Sequence, residues 1–148
     1  MLKYNDIRDA FTLKLSEKYP KINIYDEKIQ QGFESPAFFV QLIPGSSTRE
    51  SKNVKSRFLL VDIQYFPKEV NSTEEVLNMA DDLEDMFKGH ISIKNRNIKL
   101  DNTQYQSIND GIGIVLHFQV PINYYELIEK DIENFDVMQD MILSKKGV

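Results

Sequence analysis

The chain contains no cysteine, which excludes a disulfide framework, a thiolate zinc site and a cysteine nucleophile. Histidine is nearly as scarce, with only His90 and His117, and no short metal-ligand spacing links them to each other or to acids. No apolar run approaches the roughly 20 residues of a membrane helix; dense stretches such as 37–40 and 58–61 are four residues long. Glycine and proline are few and scattered, so neither a linker nor a repeat is visible. The N-terminus MLKYNDIRDAF is charged through its first nine residues and has no apolar core segment, so it does not read as a signal peptide. These absences lead us to expect a soluble protein made in the cytoplasm, with no membrane partner.

What is present is ordinary for a globular chain. Its 148 residues suit one domain, large enough to bury roughly two-thirds of the surface of the unfolded chain. Apolar residues make up 41% and charged residues 28%, and nine Phe with seven Tyr are too many aromatics for a disordered tail. The net charge of −5 argues against general nucleic-acid affinity, while leaving room for a local basic patch.

Periodicity divides the chain into elements. Over residues 5–18, Ile7, Ala10, Phe11 and Leu15 form one helical stripe among charges. Tyr19-Pro20 ends that helix, because the residue before proline is steered away from helical angles. Short strand signals at 22–25 and 27–30 lead through a turn, where Gly32 permits a close approach, into a strand at 36–44. In that strand Phe38, Val40 and Leu42 alternate with Phe39, Gln41 and Ile43. Residues 45–53, GSSTRESKN, contain no apolar side chain and read as a loop. The strand at 55–66 puts Leu59, Val61, Ile63 and Tyr65 on one face and Phe58, Leu60, Asp62 and Gln64 on the other.

Ser72-Thr-Glu-Glu75 predicts a capping box opening a helix over 73–88, striped by Val76, Met79, Ala80, Leu83 and Phe87 and ended by Gly89. Strands are expected at 90–94 and 98–108, joined by Asn95-Arg96-Asn97. Asp110-Gly111 then predicts a hairpin turn into a strand over 112–123. The order predicts an α+β fold, a largely antiparallel sheet with two helices packed on one face. We place one domain at 1–125 and an acidic C-terminal extension at 126–148.

Three features invite a functional reading. Phe39, Ile43, Phe58, Leu60 and Val115 fall by alternation on the sheet face away from the helices, where polar residues are usual. They mark either a patch covered by curled strand ends or the tail, or a subunit interface. Arg49, Lys52, Lys55 and Arg57 make the loop after the 36–44 strand basic: an ordinary solvated loop, or a finger directed at phosphates or an acidic neighbour. No aromatic interleaves with them before Phe58, so single-strand stacking is unsupported. In the extension, Phe135, Met138, Met141 and Ile142 give a weakly amphipathic segment, either a frayed tail or an arm docking on a neighbour.

No pattern carries catalysis. A nucleophile elbow such as GxSxG is missing. Gly111-Ile112-Gly113 lacks a third glycine and leads into a strand, so it does not form a dinucleotide loop. The acids Asp81, Asp82, Glu84 and Asp85 sit on the polar side of an amphipathic helix, where solvation explains them. His117 reads as a partly exposed structural histidine. No catalytic, cofactor or metal residue is assigned.

The whole pattern resembles the phage tail terminator (tail completion) proteins. The residues that carry the likeness are Lys18-Tyr19-Pro20, Ile24-Tyr25, and Gln31-Gly32-Phe33 with Pro36-Ala37-Phe38-Phe39-Val40. To these are added the strand ending Asp62-Ile63-Gln64-Tyr65-Phe66-Pro67, the helix from Asn78-Met79-Ala80, and the hairpin around Asp110-Gly111. Together they span residues 1–125. The resemblance implies a non-enzymatic virion protein without cofactor, six copies of which form a ring capping the head-proximal end of the tail tube. Such a ring stops tube polymerisation and joins the tail to the neck. Implied partners are further copies of the chain, the tail tube protein, sheath and neck or connector proteins, and double-stranded DNA passing non-specifically. Assembly would take place in the bacterial host cytoplasm. Another head–tail connector, or a small metal-dependent nuclease, are the rival readings.

Overall fold

The computed structural model describes residues 1–25, 34–100, 102–109, 111 and 113–128. Along the chain run α1 (Tyr4–Lys18), β1 (Asn23–Tyr25), β2 (Ala37–Arg49), β3 (Val54–Phe66) and α2 (Thr73–Met86). They are followed by β4 (Gly89–Ile93), β5 (Arg96–Leu100), β6 (Gln104–Asn109) and β7 (Ile114–Leu127). Five strands form one sheet in the order β1-β2-β3-β7-β6, and β4 and β5 pair separately. Among the described residues only the β1–β2 pairing is parallel. The fold is α+β with a mostly antiparallel sheet.

Alternation along β3 decides which face is buried. Leu59, Val61, Ile63 and Tyr65 join Phe38 and Val40 of β2 and Leu116, Phe118, Val120 and Ile122 of β7 in the main core. Both helices lie on that side. Ile7, Phe11 and Leu15 of α1, and Val76, Met79, Ala80 and Leu83 of α2, are buried in the same cluster. Phe11 of α1 stacks on Phe87, the residue just past the end of α2, at 4.9 Å between ring centroids. The β4–β5 hairpin closes the layer with Ile91, Ile93, Ile98 and Leu100.

Four expectations about boundaries need correction. Residues 45–49 are strand, not loop: β2 runs on to Arg49, paired as far as Lys55. Their polar sequence hides this, because the ladder with β3 rather than a buried face holds them in place. The register shifts between Pro44 and Ser46, leaving Gly45 as a bulge. A Cβ at Gly45 would sit 2.6 Å from both the Phe58 ring and its carbonyl oxygen. The single strand expected over 98–108 is two, β5 and β6, in different sheets. The β4–β5 turn is Lys94-Asn95, with Lys94 at a φ of 55°, so of the predicted Asn95-Arg96-Asn97 only Asn95 is turn, and Arg96 and Asn97 belong to β5. Finally, β7 continues to Leu127, past the end at 123 expected for that strand. The predicted turn at Gly32 lies outside the described residues.

The start of α2 shows half of its predicted capping box. Ser72 Oγ accepts the Glu75 amide at 3.2 Å as expected. The Glu75 carboxylate does not return to Ser72, whose amide bonds instead to the Glu69 carbonyl. It accepts the amides of Lys68 and Glu69 and the Tyr65 hydroxyl, the last at 2.7 Å. Glu75 thus fastens the β3–α2 connection to the sheet. Partial burial pushes its pKa up, but the Tyr65 hydroxyl and the Lys68 and Glu69 amides outweigh that and hold it below 4.5. Burial, with Glu75 nearby, pushes the Tyr65 hydroxyl well above its usual range, so it remains a donor.

A carboxylate with a depressed folded pKa stabilises above its unfolded value, and the stabilisation is lost as pH falls through the folded one. Glu75→Gln should therefore lower stability by about 1–2 kcal/mol at pH 7. The gap between variant and native protein should close as pH falls below 4.5. Urea unfolding midpoints across that range measure it.

Candidate assembly surface

Cross-strand partners share a face, so the register reads out the side of the sheet turned away from the helices. At one end Phe39 of β2, Phe66 of β3 and Val115 of β7 cluster with Ala37, and Tyr25 of β1 packs against them. In the middle Gln41, Asp62 and Gln119 lie side by side. The neighbouring row sets Gln64 beside His117. Towards the β2–β3 tip, Ile43, Leu60 and Pro121 form the next row. Phe58, Tyr125 and Leu127 extend that end on the same face.

Of the five residues expected at an interface, Phe39 and Val115 are buried within the chain itself, 2% and 1% exposed. That corrects their reading as surface. Phe39 stacks on Tyr25 at 5.2 Å and meets Phe66 edge-on at 5.0 Å. These lateral ring contacts across three strands use up the apolar surface that alternation alone left available. Ile43 and Phe58 are more than a third exposed and Leu60 is half-buried. The patch also includes Tyr125, 62% exposed, and Leu127, 75% exposed. Sequence reading had stopped the strand before these two; the alternation of 114–127 carried to its end was the signal for them.

The basic residues also separate. Arg49, Lys52 and Lys55 lie at or beside the β2–β3 tip, where the amides of Glu50 and Ser51 both donate to the Val54 carbonyl. None of the three forms a salt bridge with a described residue. Arg57 does not belong with them. It is 6% exposed on the helix-facing side, its guanidinium 4.3 Å from the Tyr4 ring centroid and 5.9 Å from that of Tyr124. Its Nη1 donates to the Leu2 carbonyl at 2.9 Å. Glu126, placed by the sequence in the acidic extension, is likewise buried. It accepts the Leu2 amide at 2.6 Å and lies 3.5 Å from Arg96 Nη1. Arg57 and Glu126 together clasp the start of α1 to β3 and β7. The arm residues Phe135, Met138, Met141 and Ile142 lie outside the described residues.

The centre of the face is polar and buried. Gln64 Nε2 donates to Asp62 Oδ2 at 3.1 Å, and His117 Nδ1 lies 3.4 Å from the same oxygen. Asp62 Oδ1 and Gln64 Oε1 have no hydrogen-bond partner among the described residues. Among the described residues no three His, Asp or Glu side chains are grouped to hold a metal ion. Asp81, Asp82, Glu84 and Asp85 are exposed along α2, with Asp85 paired to Lys88 at 2.7 Å. An open groove of about 560 Å³ between α1 and β4 is lined by Asp6, Asp9, Leu13, Lys14 and Glu17. Its charges are mixed, and Asp6 is held by Lys94 at 3.1 Å.

Because Arg57 is a structural cation, Arg57→Ala should cost about 2–4 kcal/mol through its lost hydrogen bond and ring stacking. Arg49→Ala should change stability by less than about 0.5 kcal/mol. Parallel urea titrations of the two variants check the contrast.

No curated protein matches the chain. Among the solved structures that match is one that shares its fold with a TM-score of 0.55 at 11% identity, covering 88% of this chain and 99% of the other. A family model described as phage tail terminator protein matches residues 6–134, reaching past the last described strand. With that match spanning most of its length, the chain belongs to the phage tail terminator proteins, a structural family of phage tail assembly.

Proposed function

We propose that six copies of this chain close into a ring on the head-proximal end of a tail tube, ending its polymerisation and joining the tail to the neck. The observation that carries this reading is the family match over residues 6–134. The sheet face supports it: Ile43, Phe58, Tyr125 and Leu127 expose apolar surface on one side of the tip end. Apolar surface gathered in this way marks association. A patch that meets a different surface on the next copy makes a heterologous contact, which closes into a ring when its rotation closes. The ring adds to the last tube layer by matching its edge and offers no surface for another layer. The tube protein and a neck protein are then its partners, a sheath protein where the tail has one, with DNA passing through the channel. The tip cations Arg49, Lys52 and Lys55 contact an acidic neighbour or line that channel. The arm with Phe135, Met138, Met141 and Ile142 docks on an adjoining subunit. Assembly occurs in the cytoplasm of the bacterial host.

Two measurements test this reading. Ile43→Ser with Phe58→Ser should shift the protein towards the monomer in light scattering, while the folded state survives because both side chains are already more than a third exposed. Particles made without the protein should carry over-long tubes by negative-stain microscopy. Tubes of normal length with detached heads would instead assign it to the neck as a connector.

A further inference from the structure

The polar centre of the free sheet face is incomplete. Asp62 is 4% exposed and Gln64 is 6% exposed, and each has one side-chain oxygen without a donor among the described residues. Buried acceptors left unpaired are costly, most of all on a charged group. Both orphan atoms are oxygens, so the missing partner is a donor. Beside a carboxylate it is best a cation with several N–H groups, as a guanidinium has. The group is placed to be reached from outside. Asp62 lies between Gln41, which is exposed, and Gln119, which is half-buried, and both are unbranched side chains able to swing aside.

The same chain carries the matching donors. Arg49 and Lys52 are exposed at the β2–β3 tip. Arg49 Nη1 makes only a long 3.3 Å bond to the Lys52 carbonyl. They cannot serve their own Asp62. Arg49 pairs with Lys55, and seven residues along β3 separate Lys55 from Asp62, roughly 23 Å at strand rise. No side chain spans that distance.

We propose that Asp62 and Gln64 receive the basic tip of a second copy, with Arg49 as the principal donor. The proposal rests on the self-association reading above and adds what sets the contact's orientation and register. The contact is head to tail, since face and tip are different surfaces, and is therefore of the ring-forming kind. Small polar residues around Arg49 (Ser46, Ser47 and Thr48) suit the flat glutamine-lined centre. The neighbouring Ile43, Leu60 and Phe58 exclude water around the ion pair.

Sedimentation velocity on the full chain provides the test, using Asp62→Asn as the face variant and Arg49→Glu with Lys52→Glu as the tip variant. Each variant alone should associate about a hundredfold more weakly than the native protein. Mixed in equal amounts, they should form a heterodimer and nothing larger, because only one intact face and one intact tip can meet. Zero-length carbodiimide coupling of mixed light and heavy-isotope native protein should join Asp62 to Lys52 between copies. Native protein that stays monomeric at every concentration would overturn the association reading and this contact with it. Native protein that assembles, alongside variants assembling equally well, would overturn this contact alone. The tip variant and the cross-link decide the matter even where the buried Asp62 substitution impairs folding.

Discussion

Because β3 is hydrogen-bonded along nearly its whole length to β2 on one side and β7 on the other, each of its residues sets the position of two partners. A slip of one residue in either ladder would turn Leu59, Val61 and Ile63 out to solvent and bring Asp62 and Gln64 into the main core. The helices can dock only if that register holds, since their buried stripes meet the face that β3 organises. The Gly45 bulge belongs to the same constraint. It absorbs one extra residue in β2, so that Phe58 keeps its place and the hairpin still pairs to its tip.

At the tip-proximal end of the helix-facing layer, charged groups replace apolar packing. Arg57 lies against Tyr4, binds the Leu2 carbonyl, and shares that corner with Glu126, which takes the Leu2 amide. The start of the first helix is tied in this way to the last strand, two segments more than 100 positions apart in the chain. Buried charges of this kind hold geometry more than they add stability, since desolvation offsets much of their attraction. Their role here is to join the N-terminal helix to a sheet whose strands would otherwise extend past it.

The opposite face has three zones. Aromatic rings from β1, β2 and β3 satisfy one another at one end, an incompletely paired polar group occupies the middle, and exposed apolar side chains lie at the other end. A face that was only apolar would associate without direction. One that combines apolar surface with a buried acceptor needing a donor specifies both a partner and an orientation. That combination fits a family whose members act as parts of phage tails.

Much of the fold was legible in the sequence because its signals are local. The stripe Ile7, Phe11, Leu15, the stripe Val76 to Leu83 and the two-residue alternation of 58–66 each follow from backbone periodicity, and they place both helices on one face of a mainly antiparallel sheet. The family likeness rested on the same run of elements. Long-range pairing decided the rest. Polar residues 45–49 became strand through the ladder with β3, and Arg57 and Glu126 became buried through contacts with Leu2. Phe39 and Val115 left the surface because rings from neighbouring strands close over them, while Tyr125 and Leu127 joined it through the register with β3. Sequence by itself determined which face each residue of a strand occupies. Only the tertiary structure decided which of those face residues find neighbours inside the chain, because burial depends on partners distant in sequence.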